Sequence, residues 1–145
     1  MKKLIICSKK SGNTYKVCSY INSNSNVELK FATDIKKNDL LQYDMIILSS
    51  GVYGGTIHNN LLKWINSIDK DSFKKNVKIH LFLTWLGRGK SAKSGYNKVS
   101  KFLNEKGLQL DKDYMTCFGK SFYFIRRSHP NIKDLINVVE WVRKL

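Results

Sequence analysis

The chain has 145 residues, 42% of them hydrophobic, with one Pro and nine Gly. This fits a single domain over 1–145 and excludes a disordered or fibrous chain. The net charge of +15 comes from 26 Lys and Arg against 11 Asp and Glu, which favours an acidic partner: a phosphorylated cofactor, an acidic protein, nucleic acid or an anionic membrane surface. A lysine-rich compositional habit accounts for the same number, since Lys and Asn are abundant throughout. No apolar run approaches the roughly 18 to 20 residues that cross a bilayer. Met1 to Cys7 holds only four apolar residues before Ser8, shorter than a secretory leader requires; the expected location is cytoplasmic.

Leu4-Ile5-Ile6 stops at Cys7 and reads as a first strand. A polar turn leads into a helix expected at 14–23, with Val17, Tyr20 and Ile21 on one face. Residues 27–31 alternate apolar and polar, as an edge strand does. Residues 39–44 suit one or two helical turns. Met45 to Leu48 is a continuous apolar run, the pattern of a central parallel strand buried on both faces. A helix follows at 59–68, with Leu61, Leu62, Ile65 and Ile68 aligned, then a strand at 77–83. The next helix, 95–106, buries Val99, Phe102 and Leu103 and stops at Gly107. The last strand is expected at 115–124, with a bend near Gly119. Pro130 is expected in the first turn of a final helix, whose apolar stripe is Ile132, Leu135, Ile136, Val139 and Val142. Strands alternating with helices give an α/β fold, a parallel sheet with helices on both faces and right-handed crossovers.

Three loops follow the first, third and fourth strands and so open on the same edge of such a sheet. The first is Ser8, Lys9, Lys10, Ser11, Gly12, Asn13 and Thr14. Strand, tight polar loop and helix together make an anion site, because the first helical amides are unpaired and carry the positive end of the dipole. The alternative is an ordinary turn capped by Thr14. The second loop is Ser50, Gly51, Val52, Tyr53, Gly54 and Gly55; the third is Thr84, Trp85, Leu86, Gly87, Arg88 and Gly89. Each offers an aromatic ring among glycines.

Cys7, Cys18 and Cys117 form no CxxC or Cys/His metal spacing and read as buried thiols. His58, His80 and His129 are scattered; His80, inside an apolar run, reads as a hydrogen-bonded sheet histidine. Paired carboxylates, a Ser/His/Asp set and a metal cluster are not apparent, so no catalytic side chain and no metal is assigned. The sole aromatic-basic interleaving is Tyr123, Phe124, Arg126 and Arg127, which is not a nucleic-acid motif.

Lys9-Lys10-Ser11-Gly12-Asn13-Thr14 resembles the phosphate loop of flavodoxins, usually Ser/Thr-x-Thr-Gly-Asn-Thr, which holds the phosphate of flavin mononucleotide (FMN). Lys9 stands where that family has a hydroxyl, and Ser11 where it often has Thr. The resemblance covers essentially the whole chain. It implies a three-layer flavodoxin-like sandwich with a five-stranded parallel sheet of order 2-1-3-4-5. It implies FMN as cofactor, Tyr53 and Trp85 as the rings that sandwich it, and Gly51, Gly54 or Gly55 as the peptide that flips to the flavin N5. The implied function is electron transfer between redox partner proteins. The alternative is a flavin-dependent oxidoreductase on the same fold, of the quinone-linked protoporphyrinogen oxidase or NAD(P)H-dependent reductase type. The best-known flavodoxins are acidic; here Lys9, Lys10, Arg88, Lys90 and Lys93 surround the expected site and would favour an anionic reduced flavin.

Overall fold

The computed structural model describes residues 1–121 and 124–145. Two of its inner strands are β1 (Lys3–Cys7) and β3 (Met45–Tyr53). Every residue from Leu4 to Cys7 and from Met45 to Ser50 is fully buried. β2 (Val27–Phe31) pairs with the outer side of β1, and β5 (Lys78–Trp85) with the outer side of β3. β6 (Met115–Phe118) closes the far edge. All these pairings are parallel, and the order β2-β1-β3-β5-β6 is the expected 2-1-3-4-5 with one strand added to the numbering. The added strand, β4 (Thr56–Ile57), folds back antiparallel on the end of β3.

Alternation along each strand deals side chains to two separate cores. Leu4, Ile6, Ile46 and Leu48 pack with α2 (Asn59–Ser67) and α3 (Ser91–Glu105). Ile5, Cys7, Ile47 and Phe82 pack with α1 (Gly12–Asn24) and α4 (Ile132–Lys144). Each fully buried Leu or Ile contributes about 1.5–3 kcal/mol of transfer free energy, so both faces are needed to hold a chain of this size.

Four expectations change. Helix α1 begins two residues early, with Ser11 at the cap position; Thr14 is inside the helix and its hydroxyl pairs with Thr84 Oγ1 at 2.7 Å. β6 ends at Phe118; of the expected strand to residue 124, Phe122 and Tyr123 lie outside the described residues. Pro130 precedes α4 instead of opening it: Asn131 is the cap, its side chain accepting from the Asp134 amide while the Asp134 carboxylate accepts from the Asn131 amide. In α4 the buried face is Leu135, Val138, Val139 and Val142, whereas Ile132 and Ile136 are exposed.

His80 is buried in β5 as expected but is not hydrogen-bonded. Among the described residues neither ring nitrogen has a hydrogen-bond partner, and the Asp111 carboxylate is 4.0 Å from Nδ1. Its ring meets Trp141 edge-on at 6.3 Å, and that indole N–H is unpaired too. At the end of α3, Gly107 does stop the helix: Leu108 N–H donates to the Leu103 carbonyl and Gly107 N–H to that of Asn104, the two bonds of a Schellman motif.

Candidate functional site

Where β1, β3, β5 and β6 end, their loops enclose a cavity of about 450 Å³. Loop one supplies Ser8, Lys9, Ser11, Gly12, Asn13 and Thr14. Helix α1 starts in its wall. Ser11 is extended, its side chain makes no capping bond, and the first turn carries no acidic residue. Among the described residues no side chain claims the leading amides of α1, and Gly12, at φ +87°, sets the turn that delivers them. Buried Ser8 anchors the loop to the sheet, its amide donating to the Ser49 carbonyl at 3.1 Å and its carbonyl accepting from Asn60 Nδ2 at 3.0 Å.

Loop two supplies Gly51, Val52, Tyr53 and Gly54. It is a hairpin: Tyr53 faces Thr56, and the two residues between, Gly54 and Gly55, have φ of +57° and +77°. Positive φ at both central positions is what a two-residue hairpin turn of type I′ requires. Gly51 is extended strand, so only Gly54 and Gly55 sit at a turn. The Tyr53 ring leans back over Gly51, where an added Cβ would come 2.8 Å from the phenol oxygen. Tyr53 is half-exposed, and burial raises its phenol pKa. Buried Ser50 braces the hairpin from behind, accepting from the His58 amide at 2.9 Å and donating to the Gly51 carbonyl at 2.8 Å. Burial, and then the Lys9 charge, lower the His58 pKa.

Loop three supplies Thr84, Trp85 and Leu86. The Thr14–Thr84 hydroxyl pair ties it to loop one beneath the cavity floor. Trp85 stacks on Phe118 at 6.3 Å and 24°. The Arg126 guanidinium lies 3.7 Å over the Phe118 ring while its Nε donates to the Leu86 carbonyl at 2.8 Å.

Thirteen of the expected residues thus meet at one cavity; five do not line it. Lys10 turns away to pair with Asp34 at 2.6 Å and to cover the Phe31 ring. Ser50 lies behind the hairpin. Gly55 faces Ser94. Gly87 makes room for Arg126, whose Nη2 would be 2.7 Å from a Cβ there. Gly89 has nothing within 4 Å of where its Cβ would stand. Lys93, expected near the site, instead covers the Tyr96 and Tyr114 rings.

A fourth loop was missed. Gly119, Lys120 and Ser121 complete the wall. The Gly119 amide donates to the Trp85 carbonyl at 2.9 Å, and Asn13 Nδ2 donates to the Lys120 carbonyl at 2.8 Å, so loops one, three and four are cross-linked. The signal was present: loop four also follows a strand, at the same edge, and Gly119 marks its turn.

The family model described as "Flavodoxin domain" matches residues 4–126. The chain belongs to the flavodoxin domain family. Among curated sequences this flavodoxin-domain chain is 26% identical over 141 residues to an uncharacterised protein of Methanocaldococcus jannaschii, covering 92% of this chain and 89% of that one. The fold matches oxidised flavodoxin 1 from Bacillus cereus with a TM-score of 0.68 at 18% identity, over 100% and 99% of the two chains. It also matches a P. pentosaceus protein described as an NADPH-quinone reductase, with a TM-score of 0.66 at 15% identity over 97% and 95%. At these identities the two structures establish the shared fold.

The donor set of this flavodoxin domain fits a flavin mononucleotide. The wall offers the leading helix amides, the Ser8, Ser11 and Thr14 hydroxyls and the Lys9 ammonium for a phosphate. It also offers Tyr53, Trp85 and the Gly54 peptide for a flat apolar ring edged with polar groups. Among the described residues no group of His, Cys, Asp or Glu is arranged to hold a metal ion. The three cysteines are buried and unbridged, and burial pushes the Cys117 thiol up to about 12. Cys7, nearest the cavity, donates its thiol proton to the Lys9 carbonyl at 3.1 Å. No helix among the described residues is long and apolar enough to cross a membrane.

Proposed function

We propose that the cavity binds FMN and that the protein passes electrons between redox partners through it. The observation that carries this reading is the N-terminus of α1, without a capping bond from Ser11 or an acidic residue in its first turn, in the wall of a cavity that Tyr53 and Trp85 also line. Ser8, Ser11, Thr14, the first amides of α1 and Lys9 would hold the phosphate. Tyr53 and Trp85 would flank the ring, and the Gly54–Gly55 turn would place a mobile peptide at its edge, glycine accepting either sign of φ. When bound, FMN supplies one- and two-electron redox chemistry, and the chain supplies position, exclusion of water and charge. None of the lining side chains is paired as an acid and base, which suits a carrier.

The test is a visible-absorbance titration of the purified protein with FMN and, separately, with riboflavin. Binding of FMN with quenched flavin fluorescence, at least tenfold tighter than riboflavin, is the expected result, since loop one contacts only the phosphate. Trp85→Ala is expected to weaken FMN by about tenfold, the scale of one aromatic stacking contact. Absence of binding at micromolar FMN, or equal affinity for riboflavin, would overturn the reading. Consumption of NADPH by the loaded protein would move it from carrier to reductase.

A further inference from the structure

The four loops that frame the cavity carry no carboxylate. Segments 8–14, 50–58, 84–91 and 119–131 contain Lys9, Lys10, Arg88, Lys90, Lys120, Arg126 and Arg127 but neither Asp nor Glu. The sheet sorts carboxylates by edge: Asp44, Asp69, Asp71, Asp111 and Asp113 lie in connections that enter the strands, at the opposite edge, where lysines accompany them. The carboxylates that belong to the cavity edge are already engaged. Asp34 is held by Lys10, and Asp134 by His129 and the Asn131 amide. Apart from Lys10, the cations of the four loops have no ion-pair partner among the described residues. Within this frame two aromatic side chains stand out into solvent, Tyr53 at 51% and Phe124 at 85% exposure. An aromatic centre inside a charged rim is the anatomy of a protein-docking patch.

We infer that this edge docks an acidic redox protein, one whose own electron-transfer site is surrounded by carboxylates. The inference rests on the cavity being the redox centre proposed above. A partner must bring its redox group to the cavity mouth, where loops one, three and four present cations. Opposite charge there steers encounter and fixes orientation, while a basic partner meets like charges across the contact. The cations stand on three of the four loops, one, three and four, around a concavity whose remaining wall, loop two, carries no charge. A convex protein face reaches both rim and floor; a planar anionic membrane reaches only the rim.

Two probes separate the possibilities: an acidic plant-type [2Fe–2S] ferredoxin and a basic mitochondrial cytochrome c. Each is titrated calorimetrically against the full chain, with and without added FMN. The expected result is ferredoxin binding that weakens by about tenfold or more between ~20 mM and ~300 mM salt, where the screening length falls below about 10 Å, and no comparable binding of cytochrome c. Arg88→Glu, Lys90→Glu and Arg127→Glu together are expected to weaken ferredoxin by about tenfold or more, and amide shifts on ferredoxin binding are expected in loops one to four. Equal binding of both probes, no binding of ferredoxin, shifts confined to the opposite edge, or indifference to the triple reversal would overturn the inference. So would tighter, triple-variant-sensitive binding to phosphatidylglycerol vesicles. The FMN titration is read independently, so failure of flavin binding and failure of docking are distinguishable.

Discussion

Gly119→Ala isolates the contact between loops one and four. Gly119 is not in the positive-φ region, so its backbone accepts alanine without strain. The new Cβ, however, would stand 2.6 Å from Asn13 Nδ2, 3.0 Å from its Cγ and 3.2 Å from its Cβ. The Asn13 side chain must move, and its bond to the Lys120 carbonyl goes with it. Overpacking of this kind costs about 1–3 kcal/mol and a lost hydrogen bond about 1 kcal/mol. The expected sum is about 2–4 kcal/mol, or about 5–15 °C in Tm for a chain of this length. Asn13→Ala alone loses the bond and costs about 1 kcal/mol. In the double variant the two shortest contacts are gone and only the one to Cβ remains. The pair should therefore cost about 1–2 kcal/mol less than the sum of the single variants. Chemical unfolding of the four proteins measures this, and FMN affinity should fall in the same order, since Asn13 lines the cavity. Gly119→Ala within about 0.5 kcal/mol of the parent, or a strictly additive cycle, would refute the reasoning.

Four further variants probe other parts of the molecule. Thr84→Val leaves the Thr14 hydroxyl buried without its partner and should cost about 1–3 kcal/mol in thermal melts; an unchanged Tm would show that the hydroxyl pair contributes nothing. His80→Phe removes two unpaired ring nitrogens from the core and should stabilise the protein. It should also flatten the pH dependence. Burial lowers the His80 pKa in the folded state, with Asp111 opposing, so the unfolded chain binds more protons as pH falls through about 6.5 and wild-type stability declines from there downward. His58, lowered likewise, keeps part of that slope. An identical slope between about pH 7 and 5 in parent and variant would be the contrary result. Lys9→Gln and Lys120→Gln each remove a cation from the cavity wall. Each should make full reduction of bound flavin harder by about 1 kcal/mol, or about 40 mV for one electron, read by potentiometric titration; a shift of the opposite sign would contradict the role given to these charges.

The sheet was legible because its central strands are written as uninterrupted apolar runs, and the strand-loop-helix grammar at residues 4–14 located one wall of the cavity. What failed was information carried by distant neighbours. Residues 115–124 read as one strand with a bend near Gly119, yet β6 ends at Phe118, and past it the Gly119 amide bonds Trp85 and the Lys120 carbonyl meets Asn13. Ile132 and Ile136 fall on a helical stripe with Leu135 and Val139, but the arc that α4 buries is set by where α1 lies, and it centres on Val138 instead. Lys10 counted as a site cation until its neighbour across the sheet edge, Asp34, was in place. The β3–β4 hairpin is different: Gly54-Gly55 between Tyr53 and Thr56 is a turn signal that local chemistry alone supports.

The division of the interior into two cores has an experimental consequence. Cys7, Cys18 and Cys117 all belong to the layer beneath α1 and α4, and the layer beneath α2 and α3 has none. A thiol reagent applied to the native protein therefore watches one side of the sheet only. Its reaction rate reports transient opening of the half that carries α1 and the loop before it, while amide exchange reports both halves together. Comparing the two would tell whether the domain breathes as a single unit or as two leaves hinged on a rigid sheet, without placing a single label.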